Sequence, residues 1–525
     1  MNKRAGMTIR RKWVALAVAA ACSGSALAAP DDERAKVEML HETTLSLIQL
    51  LVEQGVLKQE AADAMLKKAQ QQAIEKAAQA QAAEAEADKA VVRVTYVPEH
   101  VKREIREQIR QEVVAQAKTE RWGDVNAVPE WVERLKWEGD LRVRAQTDLF
   151  ADGNFTPAQL LAAGLPINNA DEDRERLRVR ARLGLTAMVT HNISGGLRLT
   201  TGNTGDPVST NQTLGTSANK YSLVLDRAFI KYRPLDWLSV SGGRLPNPFF
   251  STDLVWDDDV NFEGLAASIA LNTQEPLATV KPFAAFGAFP LQEIESSPTN
   301  LAKDKWLFGA QVGTDWVPSQ NVRGRFGLAY YDYRNVTGVA DTVVDGFNPY
   351  ADTAPQFRQK GNSVIDISEA GTGTWALASD YKLLNLTASV DLSHFDPLHV
   401  ILSADVVKNI GYELSDDARP RLGPNYKEKT LGWQTRVTLG WPVMDRPYNW
   451  QAFVGYRYLE RDAVLDAFTD SDFRLGGTDS KGFYVGGTFA WDRNAWVSAK
   501  WMSADEIDGL PYGVDVLQLD FNARF

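Results

Sequence analysis

The chain has 525 residues with 57 basic and 68 acidic side chains, a net charge of −11. Lys3, Arg4, Arg10, Arg11 and Lys12 all precede residue 30, where no acid stands, so the remainder carries 52 basic and 68 acidic groups, or −16. Nucleic-acid phosphates need a basic face, so this balance excludes a general DNA- or RNA-binding role.

Residues 1–28 read as a secretory signal. A basic stretch to Lys12 precedes an apolar run from Trp13 to Ala21, and Ala26-Leu27-Ala28 supplies small residues for cleavage. The run is shorter than the ~20 apolar residues of an uncleaved membrane anchor. Cys22 is the only cysteine, and a lipoprotein reading would acylate it, though Ala19-Ala20-Ala21 matches that signal weakly. Past the signal no cysteine remains, so no disulfide framework staples the chain after export. No later stretch reaches 18 uninterrupted apolar residues. The remaining way to cross a membrane is a β-barrel.

Residues 29–92 form a predicted helical hairpin or coiled-coil region. Val37, Leu40, Leu47 and Leu51 fall at heptad-like spacing, Gly55 suits a helix stop, and Ala62, Met65, Leu66 and Ala69 could fold back. The Ala/Gln/Glu/Lys stretch from Gln70 to Ala90 has Ile74 as its only large apolar residue. Residues 93–134 read as a helical linker, with Val101, Ile105, Ile109 and Val113 at four-residue steps. Such steps drift around a helix and make a narrow stripe, either a stalk or a plain linker.

From residue 135 to 525 the period changes to two. Leu141, Val143 and Ala145 alternate with Arg142, Arg144 and Gln146; Leu177, Val179, Ala181 and Leu183 alternate with Arg176, Arg178, Arg180 and Arg182. Sixteen such runs centre near residues 142, 181, 197, 227, 240, 267, 284, 311, 328, 386, 403, 435, 455, 486, 499 and 520. Short gaps such as His191-Asn192 and Pro234-Asp236 alternate with long ones such as 150–172, 203–219, 247–261, 336–378 and 462–480. The expectation is an all-β, sixteen-stranded, antiparallel up-and-down outer-membrane barrel preceded by an α-helical extension, since strict short/long alternation gives tight periplasmic turns and long external loops. A soluble sandwich would bury one face equally well. Against it, Trp137, Trp237, Trp316, Trp441, Trp450, Trp491 and Trp496 lie near predicted strand ends, which fits two interfacial girdles.

The last strand, Leu517-Gln-Leu-Asp-Phe-Asn-Ala-Arg-Phe525, resembles the assembly signal of bacterial outer-membrane barrels. The stretch Gly243-Arg-Leu-Pro-Asn-Pro-Phe-Phe250 and the following Leu254-Val-Trp-Asp-Asp-Asp-Val-Asn-Phe-Glu-Gly264 are similar to the putative porin family of sixteen-stranded barrels. So are Tyr96-Val-Pro-Glu, Arg121-Trp-Gly-Asp and Trp137-Glu-Gly-Asp-Leu-Arg142. The resemblance implies a channel, a homotrimer, surrounding outer-membrane lipid, insertion by the barrel-assembly machinery through Phe525, and no catalytic residue.

A sixteen-stranded barrel is wide enough to hold water. Its polar strand face then points inward, and Arg142, Arg144, Arg176, Arg178, Arg180 and Arg182 stack into a basic ladder. A charge facing lipid at mid-depth would cost roughly 2–4 kcal/mol. Further inward-parity cations are Arg323, Arg325, Arg436, Arg457 and Lys500. The third long loop supplies Asp253, Asp257, Asp258 and Asp259. The resemblance implies that this loop folds into the lumen, so the expectation is a constriction with a basic wall facing an acidic loop. Surplus acid, as in Asp171-Glu-Asp173 and Asp470-Ser-Asp472, is expected on outer loops. Of five histidines only His394 neighbours a serine, Ser393, and no zinc spacing, phosphate loop or nucleophile elbow occurs. No enzyme activity, metal or cofactor is therefore expected. The expected function is passive diffusion of ions and small hydrophilic solutes. The alternative is a tether, with residues 31–122 engaging peptidoglycan or periplasmic proteins and the barrel only anchoring them.

Overall fold

A computed structural model describes residues 130–525, apart from 272–278, 343–346, 370–372 and 425, together with residues 107 and 111. The expected signal (1–28) and helical hairpin (29–92) lie outside the described residues, as does the linker (93–134) apart from 107, 111 and 130–134. A four-residue helix, Glu130–Glu133, leads into the sheet.

Sixteen strands form one closed wall. They are β1 (Leu135–Phe150), β2 (Arg174–Met188), β3 (Ile193–Thr200), β4 (Val224–Leu235), β5 (Leu238–Pro246), β6 (Asn261–Ala270), β7 (Val280–Gln292) and β8 (Lys305–Ser319). Then follow β9 (Val322–Arg334), β10 (Lys382–Phe395), β11 (Leu398–Asn409), β12 (Leu431–Gly440), β13 (Trp450–Leu459), β14 (Ser480–Asp492), β15 (Ala495–Glu506) and β16 (Val514–Arg524). Each pairs antiparallel with its sequence neighbours. β1 closes on β16 in a register running from Asp140 opposite Arg524 to Phe150 opposite Val514. All sixteen expected runs are strands of this wall. Two residues, Gln212–Thr213, add a short pairing on β2.

The alternation sorts side chains between two environments. On β1 the outward Leu141 and Val143 are 48% and 49% exposed, whereas the inward Arg144 is 4% exposed. The same outward exposure recurs at Leu183, Ile230, Leu265, Val312, Leu386, Val454 and Leu519. So large an apolar surface is intolerable in water and is what a strand wall shows to lipid. The chain is therefore an outer-membrane β-barrel.

Short turns of two to nine residues join strands at one end. At the other lie eight connections, all but the last of twelve residues or more: L1 (151–173), L2 (201–223), L3 (247–260), L4 (293–304), L5 (335–381), L6 (410–430), L7 (460–479) and L8 (507–513). The seven tryptophans named above do stand near strand ends, but all at the short-turn end, so they make one girdle rather than two. The external end uses mixed aromatics instead: Trp306 stacks on Phe308, and Trp433 on Tyr456 and Tyr458. Trp496 departs further, since it pairs with Asn522 on the inward face beneath Arg524. A period of two gives strand ends and leaves open which rim a tryptophan marks.

Candidate functional site in the barrel lumen

L3 is the element that shapes the lumen. Gly243 and Gly264, the two ends of the motif noted in the sequence, face each other across β5 and β6 with φ of +117° and +129°. A Cβ at either would lie 2.4 Å from the Ala228 oxygen or 2.3 Å from the Ala288 oxygen. Only glycine fits there. Beyond this pair Leu245 and Phe262 turn inward and are 2% and 4% exposed.

Aromatic packing then seats the loop. Phe249 meets Phe262, Phe289 and Tyr331 edge-on, with centroids 5.1–6.3 Å apart. Trp256 packs on Phe262 at 4.8 Å and Tyr331 at 5.2 Å. Leu307, Leu383, Val407 and Leu459 complete this buried cluster from the inner faces of β8, β10, β11 and β13. Polar bonds fix the backbone. Gln311 clamps Phe250 through both its amide groups at 2.7 Å, and the Thr252 hydroxyl donates to Asp405 at 2.6 Å.

The four L3 aspartates occupy different surroundings. Asp253 accepts from Arg457 at 2.9 Å and from Gln434 at 2.7 Å. Burial opposes its ionisation, but Arg457 and then Lys500 hold its carboxyl down at about 2. Asp259 pairs with Arg182 at 3.3 Å and accepts from the Thr210 backbone and hydroxyl. Asp257 accepts from the Ser471 amide at 2.9 Å; burial, Asp470 and Asp259 push its carboxyl well above the usual range. Asp258 is solvent-accessible. Desolvation within the ring of loops, and then Asp253, Asp259 and Asp470, push its carboxyl up to about 6. L3 is thus strapped at Asp253 to β13 and at Asp259 to β2. Six peptide steps reach at most about 20 Å, so these residues form a chord across the lumen.

L7 lies alongside. Asp470 and Asp472, expected on an outer surface, are folded inside the barrel. Asp470 pairs with Arg457 at 3.0 Å, and Asp472 with Arg144 at 3.0 Å. Backbone bonds from Asp257 to Phe468 and from Asp470 to Asp253 stitch L7 to L3. The physical reason is that buried arginines need compensating charge, and these two loop acids supply it. L5, the longest connection, docks on L7 from outside: Asp462 accepts from the Ser363 amide and the Tyr381 hydroxyl, and Asn362 donates to the Val464 oxygen.

All six ladder arginines point inward. Arg144 and Arg178 face each other across the strand pair, as do Arg142 and Arg180. Carboxylates neutralise four of them. Arg144 makes a bidentate pair with Asp520, at 2.7 and 2.9 Å, besides its bond to Asp472. Arg176 pairs with Asp148 at 3.0 Å, and Arg180 and Arg182 share Asp140 at 2.9 and 2.6 Å. The other two are less fully compensated. Arg142 donates to Asn211 at 2.5 Å and reaches Asp520 only at 4.0 Å; Arg178 meets the neutral Gln146 and Ser209 at 3.5 and 3.3 Å. Of the further inward cations, Arg436 lies over the Phe453 ring at 3.9 Å, and Lys500 acts on Asp253, Asp258, Asp470 and Asp472. Phe525 sits outward at the short-turn rim, exchanging backbone bonds of 3.0 Å with Gly139. Alternation set Asp140 and Asp520 on the inward face without giving them a role, and it did not single out Asp148 or Asp405. The same alternation, carried on from Arg144 and Gln146, was the available signal for Asp148, because residues two apart share a face.

A closed barrel with an apolar belt, a charged inner face and a loop crossing the lumen defines a porin-type outer-membrane channel, a non-catalytic transport class. The chain belongs to the putative porin family, whose profile matches residues 41–525. Among solved structures it is similar to OprB of Pseudomonas putida, at 14% identity and TM-score 0.44, over 77% of this chain and 97% of that one. It is also similar to the outer-membrane channel DcaP of Acinetobacter baumannii, at 10% identity and TM-score 0.39, over 74% and 97%. A loop-deletion mutant of OmpT from Vibrio cholerae matches at 9% identity and TM-score 0.38, over 75% and 100%. No curated protein matches.

Proposed function

We propose that the protein lets ions and small hydrophilic solutes diffuse passively past a charged constriction, with a preference for anions. The observation that carries this reading is the uneven compensation of charge. Asp253, Asp259, Asp470 and Asp472 are each held by an arginine, whereas Arg142 and Arg178 are less fully compensated and lie on the side of the L3 chord facing β14 to β2. The opposite side is filled by the aromatic cluster. Basic groups lining the remaining passage favour anions there. The ladder and the L3 aspartates are the residues assigned to this constriction, and Phe525 to assembly.

The test is the zero-current potential of the purified protein in a planar bilayer under a salt gradient. Anion preference is expected, falling to parity or below in Arg178→Glu. Cation preference in the wild type would transfer control to the loop acids. A folded but silent protein would overturn the open-channel reading and bring forward the tether through residues 31–122.

The preference is expected to depend on pH. Asp258 is neutral below about 6 and ionised above it, so anion preference should weaken as pH rises from 5 to 7. Reversal potentials at the two values check this. An equal shift in Asp258→Asn would assign the titration elsewhere.

The same reading extends to a homotrimer. The outward faces of β1 to β4 carry aliphatic and small residues, such as Val143, Ala145, Val179, Ala181 and Leu197, and lack the aromatic external edge of β8 and β12 to β13. Such a surface suits packing against another copy.

A further inference from the structure

The outward face carries one feature that the lumen does not explain. At the external edge of adjacent strands, Arg334 ends β9, Lys382 begins β10 and Lys408 stands next to last on β11. The register places Lys382 opposite Asp332 and Lys408 opposite Leu384, one outward step deeper. Alternation puts these cations on the same face as the exposed Leu328, Leu386 and Val406.

The local carboxylates do not cancel the row. Asp332 pairs with Arg334 at 2.5 Å, and the Arg334 side chain remains 57% exposed. Asp380 bonds the Thr337 hydroxyl, and Glu413 pairs with Arg419 at 3.5 Å. Among the described residues neither Lys382 nor Lys408 has an ion-pair partner. The Lys382 stem is laid over Gly411, where a Cβ would meet its carbons at 2.6–2.8 Å. An apolar stem lying on protein with its ammonium at the rim is the snorkelling arrangement.

Depth fixes what the row faces. From Leu384 to Leu392 the outward side of β10 is apolar, about 26 Å along the strand at 3.3 Å per residue, or roughly 20 Å of height at a strand tilt of about 40°, most of a belt about 25 Å tall. The cations therefore stand at the headgroup level. Level with them in the register stand aromatic rings: Trp306 opposite Arg334, Phe308 opposite Asp332 and so in line with Lys382, and Tyr330 in line with Leu384 and Lys408. The arc is one-sided. On the external rim of β2 and of β5 to β6 the outward charges are Glu175 and the Arg244–Glu263 pair at 2.6 Å.

We propose that Arg334, Lys382 and Lys408 form a binding surface for the phosphate groups of glycolipid headgroups in the outer leaflet. The aromatic rings beside them and the apolar belt beneath them, with Leu328, Leu386 and Val406, would receive the upper part of the acyl chains. A dissolved phosphate would gain nothing from that apolar surface, so the lipid is the occupant this arrangement fits.

Native mass spectrometry of the detergent-solubilised full chain tests this, with an acylated glucosamine disaccharide bearing two phosphates as the probe. A retained adduct is expected. In Lys382→Gln/Lys408→Gln its retention should fall by roughly tenfold or more, with single-channel conductance unchanged as the control for folding. Lys382→Arg/Lys408→Arg should retain the adduct, which keeps the test decisive where the glutamine variant folds poorly. Equal retention by the glutamine variant, or equal binding of the dephosphorylated lipid, would overturn the proposal. Displacement by millimolar inorganic phosphate would overturn it too, by revealing a site for the free ion.

Discussion

Arg457→Ala is expected to destabilise the folded channel by about 3–5 kcal/mol and to raise its single-channel current. Arg457 is 2% exposed and serves Asp253, Asp470 and Gln434 at once. Its removal leaves the buried Asp470 carboxylate and Gln434 amide oxygen, and the partly exposed Asp253, without their shared donor, and a stranded buried charge costs far more than the ion pair contributes. The strap between L3 and β13 would open, so the chord would no longer hold its place and the passage would widen. Urea unfolding from lipid vesicles and bilayer recordings measure both effects. Arg457→Lys keeps the charge but loses the planar fork, so an intermediate result is expected. Stability within 1 kcal/mol of the wild type together with an unchanged current would show that L3 is pinned by other contacts.

Trp256→Ala should cost a similar amount, about 3–5 kcal/mol, with a different electrical signature. The indole is 2% exposed and touches Phe262, Tyr331 and, on L7, Phe468. Its loss opens a cavity at the seat of L3 without altering any charge. Current should become larger and noisier, while the reversal potential stays near that of the wild type. A shifted reversal potential at unchanged current would contradict the assignment of Trp256 as an apolar anchor.

The wall was legible in the sequence because a strand half in lipid and half in water must alternate, and runs such as Leu177 to Leu183 do so without interruption. Closure followed from counting the runs. The lumen was only partly legible. Inward parity located the arginines, but Phe289, Tyr331, Leu383 and Leu459 are apolar residues at inward positions, and nothing local to their strands announces that a loop comes to cover them. Asp470 and Asp472 show the converse. A run of acids between two strands looks solvated, and the counter-charges that draw it inside are more than 300 residues away in the case of Arg144. Pairwise compensation across the lumen depends on closure, and local pattern carries no record of it.

The straps also impose an order of events in time. β1 cannot find its second neighbour until β16 exists, and the Arg144–Asp520 bond spans 376 positions. L3 needs β13 on one side and β2 on the other. L7 needs L3, and L5 needs L7. Contacts of such long separation form late, because the chain between them must first be ordered. The wall therefore closes around a wet, unobstructed interior, and the passage narrows only afterwards, as the loops dock in sequence. During that interval a newly inserted copy is a wider and less discriminating hole than the finished one, and the speed of loop docking sets how long the cell is exposed to it.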